Sequence, residues 1–208
     1  MIAAAPGVEV TLELRARLAD LYCAYDDALN DGTLERWPEF FAEACVYKVI
    51  PRENVELGFP VALIYCESRA MLMDRVVALR ETALFAPRVA RRITSGVSVR
   101  SIEPSGLRLT ASFAVFQTMP DQPSVLFLCG SCQDLVVDDG EALRFAERLC
   151  IYDSTIVPTS LVYPPTLSLR VHPGLPADRP CIFKRAARQR TMLPFLSVRR
   201  RLSPTDCV

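Results

Sequence analysis

From Arg91 to Tyr152 apolar and polar side chains alternate with a period of two, in runs at Ile93–Ile102, Leu107–Met119, Val125–Val137 and Leu143–Tyr152. Residues two apart on an extended chain share a face, so each run can bury one face and leave the other in water. The breaks carry turn chemistry: Pro104-Ser105-Gly106, Pro120-Asp121-Gln122-Pro123 and Asp138-Asp139-Gly140. Such turns place consecutive strands side by side in an antiparallel meander. In the second run Leu107, Leu109, Ala111, Phe113 and Val115 fall together, and that face needs a cover from outside the sheet.

The N-terminal third supplies the cover. Leu14, Leu18, Leu21, Tyr25 and Leu29 recur at helical spacing over residues 9 to 29, and Asn30-Asp31-Gly32 closes the helix. Leu34–Pro51 then crosses from helix to strand. Thr33 can cap a short helix carrying Trp37, Phe40 and Phe41, with Pro38 tolerated in its first turn, and Cys45–Ile50 reads as a strand stopped by Pro51. The tryptophan and both phenylalanines are read as packing where helix meets sheet. A polar loop over Arg52–Pro60, a short strand over Val61–Cys66 and a helix from Ser68 to about Thr82 follow. The stripe of that helix is Leu72, Val76 and Leu79, and Arg75 lies beside it, where an arginine needs a partner. The expected fold is α+β, a single domain over residues 1–165 in which a bent, mostly antiparallel sheet wraps the helices.

Charge divides the chain at the same place. Residues 1–165 hold 15 basic and 22 acidic side chains, whereas 166–208 hold 9 and 2, with prolines at 173, 176, 180, 194 and 204 and no sustained period. The second segment is expected to be a basic, disordered appendage, and the acidic body argues against nucleic acid as the main partner. The opening MIAAAPGVEV carries no basic leader, and no run of eighteen apolar residues occurs. These features predict a cytoplasmic protein without a membrane partner. Eight cysteines in such a chain are read as reduced.

Catalytic sets are incomplete. His172 is the single histidine, whereas a mononuclear iron oxygenase site wants two histidines with a carboxylate and a Rieske cluster wants two with two cysteines. Cys129-Gly130-Ser131-Cys132 spells CxxC inside a strand, where positions three apart face opposite ways, so it is read as two packed thiols. Tyr22, Tyr25, Asp26 and Asp27 offer acid–base chemistry at the end of the first helix. The simpler assignment puts Tyr25 in the stripe and both aspartates in water. Glu147 interrupts the alternation Leu143, Phe145, Leu149, Ile151; an inward glutamate must be paired, protonated or working, and pairing with Arg75, Arg91 or Arg92 is preferred. No GxGxxG, GxxxxGK, GxSxG or HExxH motif is present.

Glu35-Arg36-Trp37-Pro38-Glu39-Phe40-Phe41 with Cys45-Val46-Tyr47, Met71–Val76, Arg91-Arg92-Ile93, and Glu147-Arg148 through Tyr152-Asp153-Ser154-Thr155 carry a resemblance. Over roughly Val10 to Pro164 the chain resembles the small (beta) subunits of aromatic-ring-hydroxylating dioxygenases, with the terephthalate dioxygenase branch nearest in pattern. The resemblance implies a nuclear-transport-factor-like (SnoaL/cystatin-like) cone. It further implies a hetero-hexamer of three large and three small subunits, served indirectly by a reductase component. The Rieske 2Fe-2S cluster and the mononuclear non-haem iron are then expected on the large subunit. No catalytic, cofactor or metal residue is expected on this chain, and Trp37, Arg75, Arg91, Arg92 and Glu147 are the structural or interface candidates. The cysteines at 129 and 132 match no motif of the family, and residues past Pro165 extend beyond it.

The function expected is assembly with a large subunit that dihydroxylates a benzoate-type aromatic acid. The alternative is a stand-alone cone-fold isomerase, dehydratase or cyclase using Glu147 or Asp26 with a tyrosine. A side-chain-filled interior with Glu147 paired to arginine favours the first, and an open cavity lined by Glu147 the second.

Overall fold

The computed structural model describes residues 3–4, 9–81 and 88–154, all within Met1–Val171, one of two compact units of the chain. The expected tail and His172 lie outside the described residues.

Helix α1 (Leu12–Asn30) starts where the Thr11 hydroxyl accepts the Leu14 amide at 3.2 Å and ends before Gly32, whose φ of 75° needs no Cβ. It buries Leu18, Leu21, Tyr22, Tyr25, Ala28 and Leu29. The short helix expected after Thr33 is a 3₁₀ helix over Leu34–Phe40, which buries Leu34, Trp37 and Pro38. Phe41 already belongs to the following strand, which runs Phe41–Pro51 rather than starting at Cys45.

In chain order the strands are β1 (Ala3–Ala4), β2 (Phe41–Pro51), β3 (Ile64–Cys66), β4 (Val89–Glu103), β5 (Gly106–Thr118), β6 (Val125–Asp138) and β7 (Leu143–Tyr152). The segment expected to be a loop holds a one-turn helix, α2 (Arg52–Glu56), and the strand expected at Val61–Cys66 shortens to Ile64–Cys66, because Val61 and Leu63 are exposed. Helix α3 (Arg69–Glu81) buries Leu72, Val76 and Leu79 as its spacing predicts.

The strands form one sheet in the order β1-β4-β5-β6-β7-β2-β3. The meander β4 to β7 is antiparallel, while β2 runs parallel to β7 and β1 parallel to β4. The sheet is therefore mixed, curved and unclosed. Leu109, Ala111, Phe113 and Val115 are all buried against the helices.

Two bulges set which side chains face inward. In β4 the pairing slips between Ser95 and Ser98 at Gly96, whose φ is +64°, so the inward residues change from Ala90 and Arg92 to Val97 and Val99. In β7 the partners of Leu135 and Val136 are Glu147 and Phe145, leaving Ala146 without an opposite residue. The inward set changes there from Leu143 and Phe145 to Arg148, Cys150 and Tyr152. Trp37, Tyr25, Tyr47, Phe41 and Phe145 close one end of the core edge to face, with Trp37 and Tyr47 centred 5.2 Å apart at 82°.

Candidate functional site

The bulge in β7 overturns the expected place of Glu147. Its side chain is 47% exposed on the outer face and pairs with Arg108 of β5, not with Arg75, Arg91 or Arg92. Alternation counted from Leu143 without the extra residue put Glu147 inside; the core instead receives Arg148. The other candidates separate. Arg91 is exposed, Arg75 is half-buried, Arg92 is 2% exposed and Trp37 is fully buried, giving its indole N–H to the Tyr25 hydroxyl at 3.2 Å.

Two guanidinium groups thus stand inside the sheet's concave face. From β4, Arg92 reaches Asp26 of α1, Nε to Oδ1 3.1 Å, and lies 4.5 Å from the centre of the Phe113 ring. Asp26 also accepts from the Thr94 hydroxyl at 3.1 Å, so it is not the solvated carboxylate expected, whereas Asp27 is exposed. From β7, Arg148 lies 4.1 Å from the centre of the Tyr25 ring and 4.3 Å from that of Phe145. The aromatic faces solvate the cation where water is excluded.

Between the cations lies a sulfur pair. Cys132 of β6 and Cys150 of β7 are in register and fully buried, Sγ to Sγ 3.5 Å. Arg92 Nη2 donates to Cys132 Sγ at 3.4 Å and Arg148 Nη2 lies 3.8 Å from the same sulfur. The Cys132 hydrogen bond, with help from both arginines, pulls the Cys150 thiol down to about 6 against its burial. Cys132 is raised by its contact with Cys150 and by burial. The CxxC expectation holds for packing, since Cys129 is half-buried and Cys132 buried; the partner of Cys132 lies on the next strand.

Asp134, also on β6, accepts the Tyr22 hydroxyl at 2.5 Å and stands 3.8 Å from Arg148 Nε without a hydrogen bond to it. Burial outweighs that distant cation and pushes the carboxyl up to about 7. The same burial lifts Tyr25 to about 12. The interior therefore gathers two arginines, Asp26, Asp134 and the Cys132–Cys150 sulfur pair. No three His, Cys, Asp or Glu side chains converge to hold a metal ion among the described residues. Sequence reasoning overlooked Arg148, Asp134 and Cys150 as a site; the available signal was period-two spacing, Cys132 with Asp134 and Arg148 with Cys150, once an extra residue is allowed in β7.

No family model matches the chain. It is 35% identical over 140 residues to the anthranilate 1,2-dioxygenase small subunit of Burkholderia cepacia, a match spanning 67% of this chain and 87% of that one. With subunit beta 1 of the terminal oxygenase component of terephthalate 1,2-dioxygenase from a Comamonas species it shares 28% over 148 residues, 71% of this chain and 96% of that one. A crystal structure assigned as the beta subunit of an aromatic-ring-hydroxylating dioxygenase from Novosphingobium aromaticivorans superposes with a TM-score of 0.69 at 35% identity. It covers 76% of this chain and 99% of that one.

Proposed function

The chain belongs to the small subunits of aromatic-ring-hydroxylating dioxygenases, and from that premise we propose that it assembles with a large subunit into a terminal oxygenase dihydroxylating a benzoate-type aromatic acid. The observation that carries the assembly role is the occupied interior. Trp37, Tyr25, Tyr47, Phe41, Phe145, Arg92 and Arg148 fill the space a substrate would need. An isomerase, dehydratase or cyclase would want an accessible acid beside a tyrosine there. Glu147 instead lies outside with Arg108, and Asp26 is tied to Arg92.

In this reading the Rieske 2Fe-2S cluster and the mononuclear iron belong to the large subunit, three copies of each subunit form the cytoplasmic hexamer, and the reductase component serves the large subunit. The substrate class follows the relatives, whose names carry anthranilate and terephthalate, both aromatic acids. Trp37, Arg75 and Arg92 serve the fold. Arg91 and Glu147 remain as surface candidates for subunit contact, Arg91 opposite the 38% exposed Phe116. Among the described residues no helix is long and apolar enough to cross a membrane.

Co-expression with the large subunit tests the reading by sizing, iron analysis and turnover of benzoate, anthranilate and terephthalate. A mixed hexamer that oxidises an aromatic acid is expected, with iron only where the large subunit is present. Stoichiometric iron in the lone chain, turnover by it, or failure of the two subunits to co-purify would overturn it.

A further inference from the structure

We propose that Cys132 and Cys150 form a buried redox pair that a small hydroperoxide closes into a cross-strand disulfide. The placement is made by the fold: the two residues face each other in register on β6 and β7, and their sulfurs sit 3.5 Å apart. A disulfide needs about 2.05 Å between sulfurs and opposed Cβ atoms within about 4.5 Å, and in-register neighbours of an antiparallel pair have Cβ atoms about 4.5–5.5 Å apart. Small side-chain rotations and a slight approach of the strands bring the sulfurs together.

The surroundings supply the reactivity that an ordinary buried thiol lacks. Arg92 and Arg148 flank the pair, both donating to the Cys132 sulfur, and two fixed cations favour a negative charge on the sulfur pair between them. Within the 3.5 Å sulfur contact one thiol can keep its proton while the other carries the charge, and the lowered pKa of Cys150 makes it the sulfur that ionises. Cys45 and Cys66 are an internal contrast. Both are buried on β2 and β3, and burial raises both thiols, Cys45 to about 11.

The chemistry balances with a hydroperoxide, ROOH. The Cys150 thiolate attacks the outer peroxide oxygen, the O–O bond breaks, and Cys150 becomes a sulfenic acid as RO⁻ leaves and takes a proton. The Cys132 sulfur then attacks the sulfenic sulfur: the S–S bond forms, the S–O bond breaks, and hydroxide leaves with the Cys132 proton as water. Two electrons pass from the sulfurs to the peroxide, giving ROH and water. The choice of oxidant follows from burial: neither residue has measurable exposure, which shuts out a bulky disulfide and makes a molecule as small as hydrogen peroxide the oxidant to test. Closure also removes the negative sulfur from between the arginines, so Asp134 becomes the available counter-charge to Arg148.

The test treats the reduced full-length chain, alone and assembled with its large subunit, with hydrogen peroxide or with oxidised glutathione. Unfolding in an alkylating agent and peptide mass spectrometry then locate the linkages. Peroxide is expected to link Cys132 to Cys150 about tenfold faster than Cys45 or Cys66 loses its thiol, while oxidised glutathione leaves the pair reduced. In Cys132→Ser, which lacks the second sulfur, Cys150 is expected to stop at a sulfenic acid that dimedone traps when added with the denaturant. Because the unsubstituted chain supplies the main readout, misfolding of the variant does not rescue the idea. Oxidation of Cys132 and Cys150 no faster than Cys45, a Cys129–Cys132 linkage instead, or equal reaction with oxidised glutathione would each overturn the proposal.

Discussion

Arg92 and Glu147 show how place decides what a charge is worth. Arg92 is enclosed, and its hydrogen bonds to Thr94 and Cys132, its ion pair with Asp26 and its contact with Phe113 come from separate elements. Arg92→Ala leaves Asp26 with Thr94 alone and opens space beside Phe113, so a loss on the order of 3 kcal/mol is expected in urea unfolding. Glu147 and Arg108 are 47% and 41% exposed, and Glu147→Gln is expected to change stability by less than about 1 kcal/mol. Equal losses in the two variants would contradict this ranking. The sulfur pair adds a pH dependence whose sign can be worked out. Cys150 falls from its ordinary 9.0 to about 6 in the folded chain, so between these values the unfolded chain binds the extra proton and stability rises with pH. That contribution is lost as pH falls through about 6. Asp134, raised from 3.8 to about 7, acts the other way: its contribution is present below 3.8 and lost as pH rises through 7. In reductant, the stability advantage of the unsubstituted chain over Cys150→Ser should therefore grow from pH 6 to 9; parallel profiles would show that Cys150 keeps its proton.

At the scale of elements, periodicity made the meander, α1 and the stripe of α3 legible, because each follows from side chains repeating at the spacing of its backbone. Which residues of β7 face inward was not legible, since a bulge adds one residue and reverses every facing that follows. Nothing local to Ala146 announces it; the partner strands settle the question by burying Phe145 on one side and Cys150 on the other. The β2–β7 pairing was hidden for a related reason, since parallel neighbours far apart in sequence have no turn to mark them. Gly130 lies on the other side of β7, in its pairing with β6. It sits opposite Tyr152, and a Cβ there would lie 2.0 Å from the Ile151 carbonyl oxygen and 2.8 Å from the Tyr152 Cα. Backbone cannot yield as a side-chain tip can, so Gly130→Ala is expected to cost roughly 1–3 kcal/mol by forcing β6 from β7. Gly140→Ala is a poor control, since its φ of +91° is itself strained for other residues; Ala114→Gly, in the half-buried row of β5, makes the better comparison of chain stiffness alone. An unchanged melting temperature for Gly130→Ala would show that the strands separate freely there.

At the scale of the molecule, the lengths of the relatives bear on the division between body and tail. Alignments of 140 and 148 residues take up 87% and 96% of the two dioxygenase subunits but only 67% and 71% of this chain. A body of about that length therefore suffices for small subunits elsewhere, and the described sheet and helices form their contacts within residues 3–154. The segment 166–208 carries 9 basic and 2 acidic residues and no amphipathic period. Charge of that kind acts over a Debye length of about 8 Å at physiological salt and does not supply the apolar area that holds a subunit interface together. Deleting 166–208 is accordingly expected to leave the melting temperature within a few degrees and the mixed hexamer intact at 0.15 M salt, as read by thermal unfolding and sizing of the co-expressed subunits. A fall of ten degrees or more, or loss of the large subunit on sizing, would place the tail in the core or the interface and move the domain boundary beyond residue 165.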